Sequence, residues 1–145
     1  METAFESILL HSHKSKMLAY MKRHPPAFGE ALKLILSNKQ PYAWRAAWMV
    51  ETVMKDNDAR LKKHMKKLVA LVRVLHESPS GQQRELLKII QRMDVPASLE
   101  GVLFDSCMNT WEDVKKQPSV RYNALLLLYK IAARHPDLQR EIIHL

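Results

Sequence analysis

Three prolines recur at a nearly constant interval, and no other feature of this sequence constrains the fold as strongly. Pro41, Pro79 and Pro118 are 38 and 39 residues apart, and an amphipathic stretch follows each of them. Proline suits the first turn of a helix because its missing N–H group would have no partner within the helix there. An interval of this length has room for two helices, so it predicts a chain of repeated helical hairpins.

The prolines and polar turns divide the sequence into successive segments. We expect N-terminal helices split near Ser12, then three hairpins, then one terminal helix. The expected bounds of the N-terminal helices, the hairpins and the terminal helix are 1–24, 25–56, 58–95, 97–135 and 136–145. No stretch reads as a strand and no linker divides the chain. The sequence therefore predicts a single all-α domain of seven or eight helices.

Individual helices can be outlined within these hairpins. Apolar periodicity predicts one helix over residues 59–77, after which Ser78 caps the helix that Pro79 opens. A second periodic stretch predicts a helix over 98–116, with Val102 following its spacing and Val114 near its end. The helix that begins at Pro118 is apolar on nearly every side, which is typical of a buried helix.

Two segments resemble a family of HEAT-like proteins from Bacteroidetes that has no known activity. They are residues 41–51, PYAWRAAWMVE, and residues 119–129, SVRYNALLLLY, which HPDL follows at 135–138. The resemblance extends from about Ser12 to Ile143. It implies an α-α superhelix, that is, a HEAT-like or armadillo-type solenoid of antiparallel helical hairpins. It implies no catalytic residues.

A more distant similarity relates the sequence to the HEAT-like DNA glycosylases that excise alkylated purines. Those enzymes surround the lesion with tryptophans and an acidic residue on a concave basic face. The tryptophans here are Trp44, Trp48 and Trp111, and Asp113 lies close to the last of them. The catalytic pattern of that family does not map onto these positions.

Positive charge is concentrated in the first half of the chain. The net charge is +8, and residues 1–75 carry all of the excess, with 14 Lys and Arg against 6 Asp and Glu. The densest run is Arg60, Lys62, Lys63, Lys66 and Lys67. Such asymmetry indicates either an anionic partner or a solvated helix face.

A sharper candidate for anion or nucleic-acid binding lies in the second helices of two hairpins. Arg84, Lys88 and Arg92 are four residues apart, and Lys130 and Arg134 repeat that spacing. If these helices are neighbours, the two stripes lie side by side. Pairing with Glu85 and Asp137 is the competing interpretation.

Trp44, Arg45 and Trp48 form the most distinctive local cluster. The two tryptophans are four residues apart and therefore share one helical face. They could stack on a nucleic-acid base while Arg45 contacts a phosphate. Alternatively, they pack between hairpins while Arg45 pairs with a carboxylate such as Glu51 or one in a neighbouring repeat.

Several other kinds of site have no signature in the sequence. Cys107 is the single cysteine, so we interpret it as a small core residue in a reducing compartment. No metal-ligand spacing, phosphate-binding glycine loop or nucleophile motif occurs, so we expect no metal, no cofactor and no enzymatic activity. The apolar runs are too short for a signal peptide or a membrane span, which predicts a cytoplasmic protein.

These observations lead to two hypotheses about function. The first is a non-enzymatic scaffold whose helical stack offers a surface to a protein partner. The alternative is a nucleic-acid-binding protein related to the alkylpurine glycosylases, acting through a basic concave face. The pattern specifies no oligomeric state.

Overall fold

The computed structural model describes residues 1–75 and 80–145, and the regular structure within them is entirely helical. This confirms the all-α prediction. Ten helices occur in these two ranges. They are α1 Ala4–His11, α2 Lys14–Arg23, α3 Ala27–Leu36, α4 Tyr42–Val53, α5 Ala59–Lys62, α6 Met65–Val74, α7 Ser80–Gln91, α8 Ala97–Glu112, α9 Pro118–Ala132 and α10 Pro136–Ile143.

The chain divides into two compact units, residues 1–55 and 56–145. The division falls between the first and second hairpins expected from the sequence. In the first unit, α3 and α4 form a hairpin, and α1 packs against α4. The turn between α3 and α4 uses Asn38 at a φ of 51°, a left-handed conformation that asparagine tolerates well.

The second unit contains two stacked hairpins, α6–α7 and α8–α9. The first helices of the hairpins, α6 and α8, pack beside each other, and so do the second helices, α7 and α9. Leu68, Leu86, Leu103 and Leu127 lie fully buried among these four helices. Burial of each such side chain contributes about 1.5–3 kcal/mol. The short helix α10 packs against α9.

The proline and cap signals that fall within the described residues mark helix starts. Pro118 and Pro136 lie in the first turns of α9 and α10. Pro41 immediately precedes α4, and the Asp58 side chain accepts a hydrogen bond from the backbone N–H of Arg60 at the start of α5. The predicted roles of Ser78 and Pro79 lie outside the described residues.

The prediction of one continuous helix from residue 59 was wrong. The chain turns at Lys63 and His64, where the N–H of His64 bonds to the carbonyl oxygen of Leu61 three residues earlier. Nothing in the sequence marks this break, because the segment contains neither glycine nor proline. The predicted end at Glu77 lies outside the described part of the chain.

The helix predicted over 98–116 ends earlier than expected, at Glu112. Asp113 terminates it, because its side chain accepts a hydrogen bond from the backbone N–H of Lys115 and so favours a turn. Val114 therefore lies beyond the helix and is exposed, as is Val102. The buried face of α8 instead carries Leu103, Phe104 and Cys107.

The prediction that the α9 helix is buried on nearly every side was also wrong. Tyr122 and Tyr129 are 58% and 53% exposed. The two residues are two turns apart and share one open face of the helix. Among the helices of residues 1–75 and 80–145, none combines the length and the apolar character that crossing a membrane requires.

Candidate functional site

The five cations of the predicted anion-binding stripe lie on, or just after, two helices that pack side by side. Arg84 and Lys88 lie on α7, with Arg92 directly after it, and Lys130 lies on the neighbouring α9. Arg134 follows the end of α9. Each of these side chains also has a partner within the second unit, and those partners determine what the stripe can do.

Lys130 joins the two hairpins through the end of α7. Its Nζ donates hydrogen bonds to the carbonyl oxygens of Gln91 and Met93, at 2.6 and 2.7 Å. The last carbonyls of a helix have no partners within the helix, so a lysine here satisfies groups that would otherwise need water. Partial burial is the main reason that the pKa of Lys130 is lowered.

Arg92 and Arg134 make equivalent contacts with the preceding turn. Arg92 Nε lies 2.8 Å from Asp56 Oδ1, 36 residues earlier in the chain. Arg134 Nη1 donates to the carbonyl oxygen of Val95 at 3.4 Å, 39 residues earlier. These separations are close to the interval between the prolines. Each cation therefore contacts a residue about one repeat earlier in the chain. The pairing of this stripe with Asp137 that the sequence suggested does not occur among these contacts.

Glu85 pairs with the other two cations of the stripe. Its Oε1 lies 3.5 Å from Arg84 Nε and 3.9 Å from Lys88 Nζ, as the competing interpretation expected. The neighbouring Gln83 is fully buried, and neither polar atom of its amide has a hydrogen-bond partner in the part of the chain that the structure describes. A buried, unpaired amide is costly to fold.

A cleft of about 480 Å³ opens beside the second half of the stripe. Asp94, Glu100, Lys130 and Arg134 are the charged residues that line it. Glu100 is buried, and its two carboxylate oxygens lie 3.2 Å from His135 Nε2 and 3.6 Å from Arg134 Nη1. Opposite charges therefore already compensate one another along the wall of this cleft.

The contacts of Lys130, Arg92 and Arg134 with backbone carbonyls and Asp56 each span about one repeat, as contacts between successive units of a helical repeat protein do. The chain matches the family model described as a HEAT repeat domain over residues 2–145. It belongs to this family. Comparisons with curated proteins and with solved structures gave no match. The HEAT-type helical solenoid class that the sequence predicted is therefore confirmed, and this class is a helical scaffold.

In the first unit of this HEAT repeat protein, Arg45 forms a similar hydrogen bond to a residue about one repeat earlier in the chain. Its Nη1 donates to the carbonyl oxygen of Leu9 at 3.1 Å, near the end of α1 and 36 residues earlier. This contact corrects the expectation that Arg45 pairs with a carboxylate. A backbone carbonyl near a helix end can accept this bond because it has no partner within the helix and carries partial negative charge.

The two tryptophans beside Arg45 differ in exposure. Trp44 is 45% exposed, whereas Trp48 is half-buried, with Lys14 Nζ lying 4.6 Å from its ring centroid. A lysine over an indole face is a favourable cation–π contact. The exposed part of Trp44 thus offers a flat aromatic surface.

In the basic run of the HEAT repeat protein, the arginine forms an ion pair and the lysines are exposed to solvent. Arg60 binds Asp58 through two hydrogen bonds of 3.0 and 2.8 Å between their side chains. Lys62, Lys63, Lys66 and Lys67 are exposed instead. Within residues 1–75 and 80–145, no three His, Cys, Asp or Glu side chains converge as a metal site would require.

Sequence reasoning did not identify the open tyrosine face of α9. Tyr129 also lines an apolar cleft of about 330 Å³ between α9 and α10, together with Ala133, Ile142 and Ile143. The sequence contained one signal for this open face. The helix that begins at Pro118 is apolar on nearly every side, and only a short helix follows it that could cover an apolar surface. Glu100 was missed as well, because an acidic residue in an amphipathic pattern is normally assigned to solvent.

Proposed function

We propose that this HEAT repeat protein is a non-enzymatic scaffold in the cytoplasm that binds a protein partner through the open face of α9. The observation that carries the proposal is the exposure of Tyr122 and Tyr129 on one face of that helix. Tyrosine is enriched at protein interfaces, because its large ring contributes apolar area while its hydroxyl group tolerates water.

The charged side chains support the same proposal in a different way. Lys130, Arg92 and Arg134 are engaged between repeats, where they contribute to the rigidity of the second unit. A rigid surface loses little conformational entropy when a partner binds. The apolar cleft next to Tyr129 offers a pocket for one anchoring side chain of that partner.

Photo-crosslinking at the tyrosine face tests this function. A benzophenone amino acid is introduced at Tyr129 of the full chain, and a matched variant carries it at Asn109, an exposed residue of α8. A protein that crosslinks at residue 129 but not at residue 109 is then purified. Its affinity should fall about ten-fold or more in Tyr122→Ser/Tyr129→Ser, since hot-spot tyrosines each contribute more than about 1 kcal/mol.

Two results would contradict the proposed scaffold surface. One is equal crosslinking at residues 129 and 109, which would indicate random contact. The other is unchanged affinity in the double tyrosine variant, with circular dichroism showing that the variant remains helical.

The second candidate function is nucleic-acid binding, as in the alkylpurine glycosylases that the sequence distantly resembles. The specific observation in its favour is the open ring of Trp44, together with the lysine over Trp48. The stripe from Arg84 to Arg134 in the second unit is a separate candidate for contact with phosphates, although its intramolecular partners compete for the same charges. Trp44→Leu should lower affinity for an oligonucleotide if this ring stacks on a base, by about 1–3 kcal/mol.

A further inference from the structure

A row of exposed cations follows the outer side of α5 and α6. We define the lysine face as Lys62, Lys63, Lys66, Lys67 and Arg73, all of which are exposed. The opposite side of the same segment packs into the core of the second unit through Leu61, Met65, Leu68 and Val72. The segment is therefore held rigidly by its apolar side and presents its charges outward.

No carboxylate of its own segment is left to neutralise the lysine face. Residues 56–75 contain two acidic residues, and both have other partners: Asp56 pairs with Arg92, and Asp58 pairs with Arg60. The neighbouring α8 exposes Asp105 and Glu112, but neither forms an ion pair with this face. Within residues 1–75 and 80–145, no side chain of the lysine face forms a hydrogen bond or an ion pair with another residue.

His64 lies within the lysine face and responds to its charge. Burial lowers the pKa of His64 from its ordinary value, and Lys63 and Lys67 lower it further. Positive neighbours disfavour a positively charged imidazolium, so this shift agrees with a positive electrostatic potential around the segment.

The shape and composition of the face indicate which anion fits it. At about 1.5 Å per residue, the part of the face that lies on α6, from Lys66 to Arg73, extends about 10 Å. A DNA strand passes about three phosphates over that distance along the helix axis. Four of the five cations are lysines, which bind phosphates as point charges and carry no base specificity.

Other polyanions fit the lysine face less well. No aromatic side chain lies between its cations, so it provides no stacking platform for single-stranded bases. Its exposed apolar residues are Ala70 and Val74, which are too small to anchor a protein interface. The apolar side of α6 is buried and so cannot insert into a lipid surface.

We propose that the lysine face binds the phosphate backbone of a double-stranded nucleic acid without reading its sequence. This inference goes beyond the proposed protein scaffold, because it concerns a different surface on different helices. It does not require the tryptophan cluster of the first unit.

The proposal is tested by fluorescence anisotropy with a labelled DNA duplex at about 50 and 200 mM salt. The full chain is compared with a variant in which Lys62, Lys63, Lys66 and Lys67 are all changed to Gln. A matched control removes the same charge elsewhere, at the exposed lysines Lys16, Lys22, Lys33 and Lys115. A third variant changes the four lysines of the face to Arg and so keeps the charge.

The expected result is a loss of at least about ten-fold in affinity for the Gln variant, with a shallower salt dependence, because each lost phosphate contact reduces the slope by about 0.9. The control and the Arg variant should both stay within about three-fold of the wild type. Circular dichroism of each variant checks that its helices remain formed.

Several results would overturn the proposal. One is that the wild type does not bind the duplex at the lower salt. Another is that the Gln variant and its matched control lose equal amounts of affinity for the duplex. Tighter binding of the wild type to a single strand, to a polyglutamate peptide or to phosphatidylserine vesicles than to the duplex would do the same. Loss of duplex binding in Trp44→Leu with the Gln variant unaffected would assign the contact to the first unit instead.

Discussion

The side-chain nitrogen of Lys130 lies 2.6 Å from the carbonyl oxygen of Gln91, on the helix of the preceding hairpin. This single contact joins the second helices of two successive repeats and satisfies the open end of α7. Arg92, Arg134 and Arg45 make similar contacts with groups 36 to 39 residues earlier in the chain. A residue that the sequence suggested as an anion-binding group thus also has a role within the fold.

We expect Lys130→Met to destabilise the protein, because it removes the hydrogen bonds to the carbonyl oxygens of Gln91 and Met93 while keeping most of the apolar stem. The free energy of unfolding should fall by about 1–3 kcal/mol. Urea denaturation followed by circular dichroism measures it. The matched control, Lys115→Met, changes an exposed lysine in the loop after α8. A Lys130 variant as stable as this control would show that the capping contact contributes little.

Replacing Gln83 or Gln91 by methionine should change the free energy of unfolding in opposite directions. Gln83 is fully buried without a hydrogen-bond partner in the described residues, whereas Gln91 bonds to Asn123 Oδ1 at 2.8 Å and to the Leu87 carbonyl. Methionine has a similar shape but no amide. Gln83→Met should therefore raise the free energy of unfolding by about 1–2 kcal/mol, and Gln91→Met should lower it by about 1 kcal/mol.

Thermal unfolding of the two glutamine variants beside the wild type provides the measurement. A lower melting temperature for Gln83→Met would mean that the amide contributes to folding through a partner such as a buried water. Equal shifts for both variants would exclude hydrogen bonding as the source of the difference.

Much of the helical framework could be predicted from the sequence, because its signals are local. Pro118 and Pro136 begin helices for a steric reason that needs no tertiary context. Asp58 caps α5 for an equally local reason. The break at Lys63 and His64 could not be predicted in this way, since the residues on either side of it continue the same apolar spacing.

The candidate site was harder to predict, because its chemistry depends on which groups meet across repeats. The spacing of Lys88 and Arg92 predicted one helical stripe, although α7 ends at Gln91, just before Arg92. It could not reveal that Asp56, 36 residues away, lies against Arg92. The open face at Tyr122 and Tyr129 depends on how much of α9 its neighbours cover, which apolar periodicity does not report.

Cys107 should be almost unreactive in the folded protein. It is fully buried in α8, and burial raises the pKa of its thiol to about 12. At pH 8, roughly one thiol in ten thousand is then ionised, and the thiolate is the reactive form. Labelling with a thiol-specific disulfide reagent should be at least about a thousand-fold slower in buffer than in guanidinium chloride. Comparable rates would show that α8 opens readily or that the thiol is accessible.

The pKa of His64 provides a direct measure of the potential at the lysine face. Burial, Lys63 and Lys67 all lower it below the ordinary value of 6.5. The unfolded chain therefore takes up this proton at a higher pH than the folded chain does. The stability linked to His64 is present above about pH 6.5 and is lost as the pH falls through the lower, folded pKa.

Removing a neighbouring charge should raise this pKa. We expect Lys67→Gln to move the His64 pKa upward toward its ordinary value, because one repulsive charge is gone, while Lys22→Gln in the first unit leaves it unchanged. An NMR titration of the imidazole resonances measures both variants. A bound DNA duplex should raise the same pKa in the wild type, since phosphates close to His64 favour the imidazolium form. An unchanged His64 pKa in Lys67→Gln would show that Lys67 does not act on this imidazole.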